Sequence, residues 1–433
     1  MLRVTWENWS GTVAVTPAEV ACPRDVEEVV EVVRRAGRAG RQVTAVGSGH
    51  SFTPLAEARD VQLRLDHLTG IVAVEPGGRV RVRAGTRLRE LSALLARHGL
   101  ALENLGDIDA QTVAGAVATG THGTGARFGG LATQVAALEL VTGDGRLLRL
   151  GEGAGPPVEG VVVGLGALGV VTEVTLRCVP AFTLHAVEDT ERYDAVLESL
   201  DERVERHDHV EFYWFPYTDR CLTKTNTRRP GPPERPLPRW RRVLEDEVLS
   251  NGVYRAVNEV GRRRPRAVPA LNRLAARALS RREYDDVSSR VFATTRRVRF
   301  VESEYAVPRE SLVPVLGALR AWVAAHPEAA VQFPVEVRFA AADDVWLSTA
   351  YRRPTAYVAV HQFHRSPAAD YFHAVEAIAA EHGGRPHWGK LHGLDATALT
   401  ARYPRLPEVL ALREELDPQR VLTNRHLRRL LGE

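Results

Sequence analysis

Val26, Val29, Val30 and Val33 recur at i, i+3, i+4 and i+7 behind Pro23, with Gly37 after them. That period predicts a helix with one apolar face over 23–38. At 42–46 the pattern shortens to that of a strand, which runs straight into Gly47-Ser48-Gly49-His50-Ser51. Val61, Leu63 and Leu65 alternate with polar neighbours and give another strand. Segments 71–75 and 79–83 flank Pro76-Gly77-Gly78, and 135–142 and 146–150 flank Gly143-Asp144-Gly145, so both pairs read as hairpins. Thr86 is expected to cap a helix carrying Leu88, Leu91, Leu94 and Leu95. The short runs 161–163 and 170–176 are β-branched and read as strands. Short strands with few helices over 1–178 predict an α+β fold rather than regular βαβ alternation.

Beyond about residue 180 the texture changes. Strands are expected at 209–215, 298–306, 331–339 and 356–363, and helices at 309–325, 368–383 and 406–416. The Pro- and Arg-rich span 227–240 reads as a loop, and 241–282 as a basic, amphipathic helical stretch.

Composition narrows this picture. The 433 residues are 44% hydrophobic and 26% charged, enough for two cored domains and unlike a disordered or disulfide-scaffold chain. Of 57 basic residues only Lys224 and Lys390 are lysines. A GC-rich coding bias accounts for such a skew, and a lysine that survives it is a candidate for a place that needs an ammonium. A net charge of +3 does not call for nucleic acid or an anionic membrane. The charge is uneven, however: 220–299 carries 21 basic against 8 acidic residues. A solvated helical insert is the simpler reading of that block, and a docking face for a membrane or acidic partner the sharper one. Cys22, Cys178 and Cys221 lack the number and spacing of a disulfide framework or a thiolate metal site, so no metal is expected. No signal peptide or membrane span is visible, which predicts a cytoplasmic protein with peripheral membrane contact left open.

Gly164-Leu165-Gly166-Ala167-Leu168-Gly169 fits a GxGxxG pattern, but the β-branched run from Val170 to Leu176 follows where a dinucleotide-binding turn needs a helix. It reads as a turn between strands. More telling is the pairing of Gly47-Ser48-Gly49-His50-Ser51 with a second stretch of small residues, 112–125 (TVAGAVATGTHGTG). Glycines let backbone N–H groups approach a diphosphate, and small side chains leave room for a long cofactor.

These motifs, with LGVVTEVTL at 168–176, resemble the FAD-binding (PCMH-type) domain of the vanillyl-alcohol-oxidase type of flavoprotein. Downstream, Arg385-Pro386-His387-Trp388-Gly389-Lys390 resembles the HWxK motif of the aldonolactone oxidases, the gulonolactone and D-arabinono-1,4-lactone oxidases with their alditol oxidase relatives. The resemblance implies a two-domain flavoprotein. The FAD domain would span 1–178, a substrate (cap) domain of antiparallel sheet and helices 179–387 with the basic insert at 220–299, and a return to the FAD domain 388–433. It implies FAD bound covalently through His50, and lined by Ala45, Val46, Gly47, Ser48, Gly49, Ser51, Thr112, Gly115, Ala116, Ala118, Thr119, His122, Gly123 and Val171. Gly106 and Asp107 would border the flavin face. Relatives often carry a neutral residue at the position of Asp107, while glycine at 106 would leave oxygen a path.

Glu336 and Arg338 stand two apart, so on a strand they share a face. By themselves they could be an exposed ion pair of little worth. The resemblance makes Arg338 a partner of the substrate oxygen or reduced flavin, Glu336 a holder of sugar hydroxyls, and Lys390 the polariser of the reacting hydroxyl. His361, on the next strand, is the candidate base, and His387 is expected to be structural. The implied activity is oxidation of an aldono-1,4-lactone alcohol by hydride transfer to flavin N5, with oxygen or another acceptor reoxidising it. An alditol oxidase acting on open-chain polyols, and a non-catalytic flavin-binding partner protein, are the alternatives.

Overall fold

Along His209–Trp214 and Val335–Ala340, apolar residues alternate with charged or aromatic ones, and one sheet keeps the two sets apart. The structure, a computed structural model, describes residues 5–151, 153, 155–238, 252, 254–294 and 296–433. Its largest sheet has eight antiparallel strands. In order across the sheet these are Arg282–Val287, Thr183–Arg192, Arg220–Arg229, His209–Trp214, Val335–Ala340, Thr355–Phe363, Phe300–Pro308 and Arg385–Pro386. Val210, Phe212, Val335, Val337, Phe339, Val358, Val360, Val301 and Val307 point to one face. There they pack with Val315, Leu316, Leu319 and Val323 of helix Leu312–Ala325 and with Val375 and Ala379 of helix Ala369–Glu381. Because side chains alternate with a period of two, the residues between them must face the other way. Glu211, Glu302, Glu304, Glu336, Arg338 and His361 are those residues, buried on the opposite face.

The first part of the chain supplies what that face looks at. Helix Val26–Arg38 is capped by the Asp25 side chain, which accepts from the Glu28 N–H, and buries Val29, Val32, Val33 and Ala36. It follows the first strand of a three-stranded parallel sheet, Glu19–Ala21, Val61–Arg64 and Val43–Val46. A second, five-stranded antiparallel sheet runs in the order Leu147–Leu150, Val135–Val141, Val170–Arg177, Arg79–Arg83, Ile71–Glu75 and contains both predicted hairpins. The C-terminal segment folds back on these elements: the Val43 N–H donates to Val421 O, and Asn424 Nδ2 to the carbonyls of Pro54 and Leu55.

Several expectations need correction. The helix Leu88–Arg97 starts after Arg87, and Thr86 instead receives the Gly70 N–H on its Oγ1. Val161 ends the short helix Val158–Val161 and Val162 and Val163 follow it, so 161–163 form no strand, and all three valines are buried in the core. Strand Arg220–Arg229 extends into the expected loop at 227–240, of which 239 and 240 lie outside the described residues. In the described part of the basic stretch 241–282 stand two α-helices, Tyr254–Arg263 and Val268–Ala278, and Arg282 already opens a strand; 241–251 and 253 lie outside the described residues. The basic block 220–299 is therefore more than a helical insert, since it contributes two strands of the large sheet. Among the described residues no helix is long and apolar enough to cross a membrane.

Candidate active site

Two cavities meet where strand Val43–Val46 ends. The first is a cleft of about 1130 Å³. It is lined by Ala45, Val46, Gly47, Ser48, Gly49, His50 and Ser51 on one side, and Thr112, Ala114, Gly115, Ala118 and Thr119 on another. A Cβ at Gly47 would stand 2.6 Å from Thr112 Oγ1, and one at Gly115 2.9 Å from the same atom. Gly47 lets the two loops touch, Gly115 leaves room for the Thr112 cap of its own helix, and the cleft is walled largely by backbone and small side chains. Val171 completes the wall together with Gly164, Leu165, Gly166, Leu168 and Gly169. The GxGxxG-like turn thus lines the cleft even though a strand, not a helix, follows it. Of the other expected cofactor residues, Ala116 turns into the hydrophobic core, and Gly123 backs onto Leu105 O and Asn104 Oδ1. Gly106, Asp107 and His122 line the second cavity instead.

The second cavity, of about 800 Å³, shares His50, Ser51, Gln111 and Thr119 with the first. Burial, with Lys390 and Arg87 nearby, pushes the His50 imidazole down to about 4, so it is neutral at pH 7. The opposite wall is the polar face of the large sheet, with Glu336, Arg338 and His361, and Lys390 joins them from the segment after strand Arg385–Pro386. Arg338 is gripped from three sides: Nε by Glu211 Oε2 at 3.0 Å, and Nη2 by Glu336 and by Asp107 Oδ2 at 3.5 Å. Arg296 Nη2 lies 2.9 Å from Asp107 Oδ2. Burial tends to neutralise Asp107, but Arg338 and Arg296 outweigh it and hold its carboxyl well below the usual range. Glu336 goes the other way. Burial raises its pKa, Arg338 offsets this only in part, and Asp107 and Glu211 add repulsion.

Sequence reasoning missed Glu302 and Glu304. Glu302 Oε2 lies 2.5 Å from Lys390 Nζ, and its Oε1 lies 3.4 Å from His361 Nε2. Burial opposes the Lys390 charge, but Glu302, Glu304 and Asp107 together outweigh it and keep its pKa above the ordinary lysine value. Glu304 accepts from His122 Nε2 at 3.2 Å, and the His122 ring stacks on Tyr357. Both glutamates stand at alternate positions of one buried strand, as Glu336 and Arg338 do, but without the opposite charges that marked that pair. His387, expected to be structural, lines the cavity. His122, Glu304 and His387 bring metal-capable atoms within 4.8 Å of one another. Burial drives His387 down to about 4, and its Nδ1 accepts the Gly389 N–H. The neutral ring therefore carries its proton on Nε2, which makes that nitrogen a donor.

Comparison with known proteins agrees with this geometry. The FAD binding domain profile matches residues 17–151, and that of D-arabinono-1,4-lactone oxidase matches residues 174–430. The chain is 43% identical to an L-gulono-1,4-lactone dehydrogenase of Mycobacterium tuberculosis, over 99% of both chains. It is 32% identical to the L-gulonolactone oxidase of Bos taurus, over 99% of this chain and 98% of that one. A crystal structure of cholesterol oxidase from B. sterolicum superimposes with a TM-score of 0.84 at 18% identity, covering 99% of this chain and 97% of that one, and so shares the fold. The chain thus belongs to the D-arabinono-1,4-lactone oxidase family of FAD-linked oxidoreductases.

Proposed function

We propose that the chain oxidises a secondary alcohol of an aldono-1,4-lactone, of the gulono- or arabinono- type, with FAD held in the first cleft and substrate in the second. One observation carries the reading: Glu336, Arg338, His361 and Lys390 converge on a cavity that joins the small-residue cleft at His50. The cleft suits FAD because its walls are backbone and small side chains. His50, neutral and at the junction, is the residue we assign to a covalent link with the flavin. When bound, FAD supplies the acceptor for the hydride leaving the carbinol carbon.

The chain's own residues handle the rest of the alcohol. Lys390 and Arg338 donate to the reacting oxygen, where negative charge grows as the proton departs. His361 takes that proton on Nε2, and the imidazolium so formed lies between the carboxylates of Glu302, at 3.4 Å, and Glu336, at 3.9 Å. Glu336 also holds a ring hydroxyl. Oxygen or another acceptor then takes the electrons. A Cβ at Gly106 would stand 3.0 Å from His122 O, so glycine there lets the cavity wall pack closely.

Anaerobic mixing of holoenzyme with gulono- and arabinonolactone and with xylitol tests the reading, followed by admission of air. Bleaching by a lactone is expected, and bleaching by xylitol alone would replace the lactone with an open-chain polyol. Rapid recolouring in air marks an oxidase. His50→Ala is expected to release all flavin on denaturation; flavin that stays attached would move the linkage elsewhere.

A further inference from the structure

We propose that Lys224 is a positioning residue for Arg338, acting through Glu211. Lys224 does not line the cavity, yet its side chain is only 11% exposed. It stands opposite Glu211 in the register of two neighbouring strands. Its Nζ lies 3.3 Å from Glu211 Oε1 and donates to Val291 O at 3.1 Å. The other oxygen of Glu211 faces Arg338 Nε. An ammonium, a carboxylate and a guanidinium thus form one buried chain that ends on the cavity wall.

The charge pattern gives the chain its purpose. Glu211 fixes the guanidinium plane at Nε, but an unshared carboxylate there would also draw the positive charge of Arg338 away from the cavity. Lys224 occupies the far oxygen and balances that carboxylate, so Arg338 stays both oriented and effectively charged where the alkoxide develops. The Lys224 site offers one carboxylate oxygen and one carbonyl, which suits a compact ammonium rather than the fork of a guanidinium. Burial works against the Lys224 charge, and Glu211, Tyr284 and Glu188 together outweigh it.

The inference rests on Arg338 facing substrate, so Arg338→Lys is measured alongside. The probe is a lactone that bleaches the wild-type holoenzyme. Lys224→Met is expected to slow bleaching by about tenfold while the half-saturating concentration changes by less than about threefold. The double variant E211Q/K224M is expected to be no slower than E211Q alone, because the two residues act in series. Wild-type bleaching by K224M while R338K is slow would overturn the role of Lys224, as would multiplied losses in the double variant. Wild-type bleaching by R338K would instead overturn the reading of Arg338. A lowered melting temperature with unchanged bleaching per flavin would reduce Lys224 to a structural residue. Should K224M fail to fold, comparison of E211Q with E211Q/K224M decides: equal rates support the role and a slower double variant overturns it.

Discussion

Lys390 stays charged inside the protein because Glu302 lies 2.5 Å from its Nζ, and Glu302 also faces His361. Removing the Glu302 charge loosens the donor and takes a carboxylate from beside the candidate base. Glu302→Gln is therefore expected to lower the rate of flavin reduction about 10- to 100-fold, measured by stopped flow. Lys390→Arg should cost about 100-fold, since the fork cannot occupy both the Glu302 contact and a hydroxyl oxygen. A near-normal rate in the arginine variant would return Lys390 to a merely structural place. The glutamates also show what a sequence yields at this scale. Glu336 and Arg338 stand out as opposite charges two apart, whereas Glu302 and Glu304 share a sign in Val301-Glu302-Ser303-Glu304 and read as surface acids. Their partners, Lys390 and His122, are far away in sequence, and only the fold brings them together.

At the scale of elements, the segment carrying His387 and Lys390 is held by Trp388, which is fully buried. The Trp388 indole N–H donates to Leu347 O at 2.8 Å, and its ring lies 4.4 Å from that of Tyr403. Trp388→Ala is expected to cost about 3–5 kcal/mol in denaturant unfolding, because a large side chain and a satisfied donor go together. Elements with strong periodicity, such as helix Val26–Arg38 and strand Thr355–Phe363, are legible in the amino-acid pattern alone. Strand Arg220–Arg229 is not. Basic residues stand at both its ends and in its middle, and it is a strand because two neighbours pair with it along its length. The valines at 161–163 mislead in the opposite way: burial in the core outweighs their β-branched preference.

The whole molecule carries an acid-sensitive core. His209 donates from Nδ1 to Thr124 O, accepts from Arg228 at Nε2, and stacks on Phe128. Burial pushes it and His387 down to about 4, so both are neutral in the fold. In the unfolded chain each takes a proton near pH 6.5, so stability falls as pH drops from about 6.5 toward 4 and is unaffected above that window. Each histidine is expected to cost about 2 kcal/mol at pH 5 relative to pH 7. A melting temperature that falls over this range, and falls less steeply in His209→Asn, checks the point.

With 55 arginines and only two lysines, both in buried carboxylate pairs, the exterior offers almost no side-chain amine. Acylating reagents and amine-directed cross-linkers, which mark most proteins indiscriminately, should find little purchase here. The ε-amino group of Lys390 is the exception, since it opens on the second cavity. Slow covalent labelling at that one position, with substrate protecting it, would turn a coding bias into a means of counting active sites.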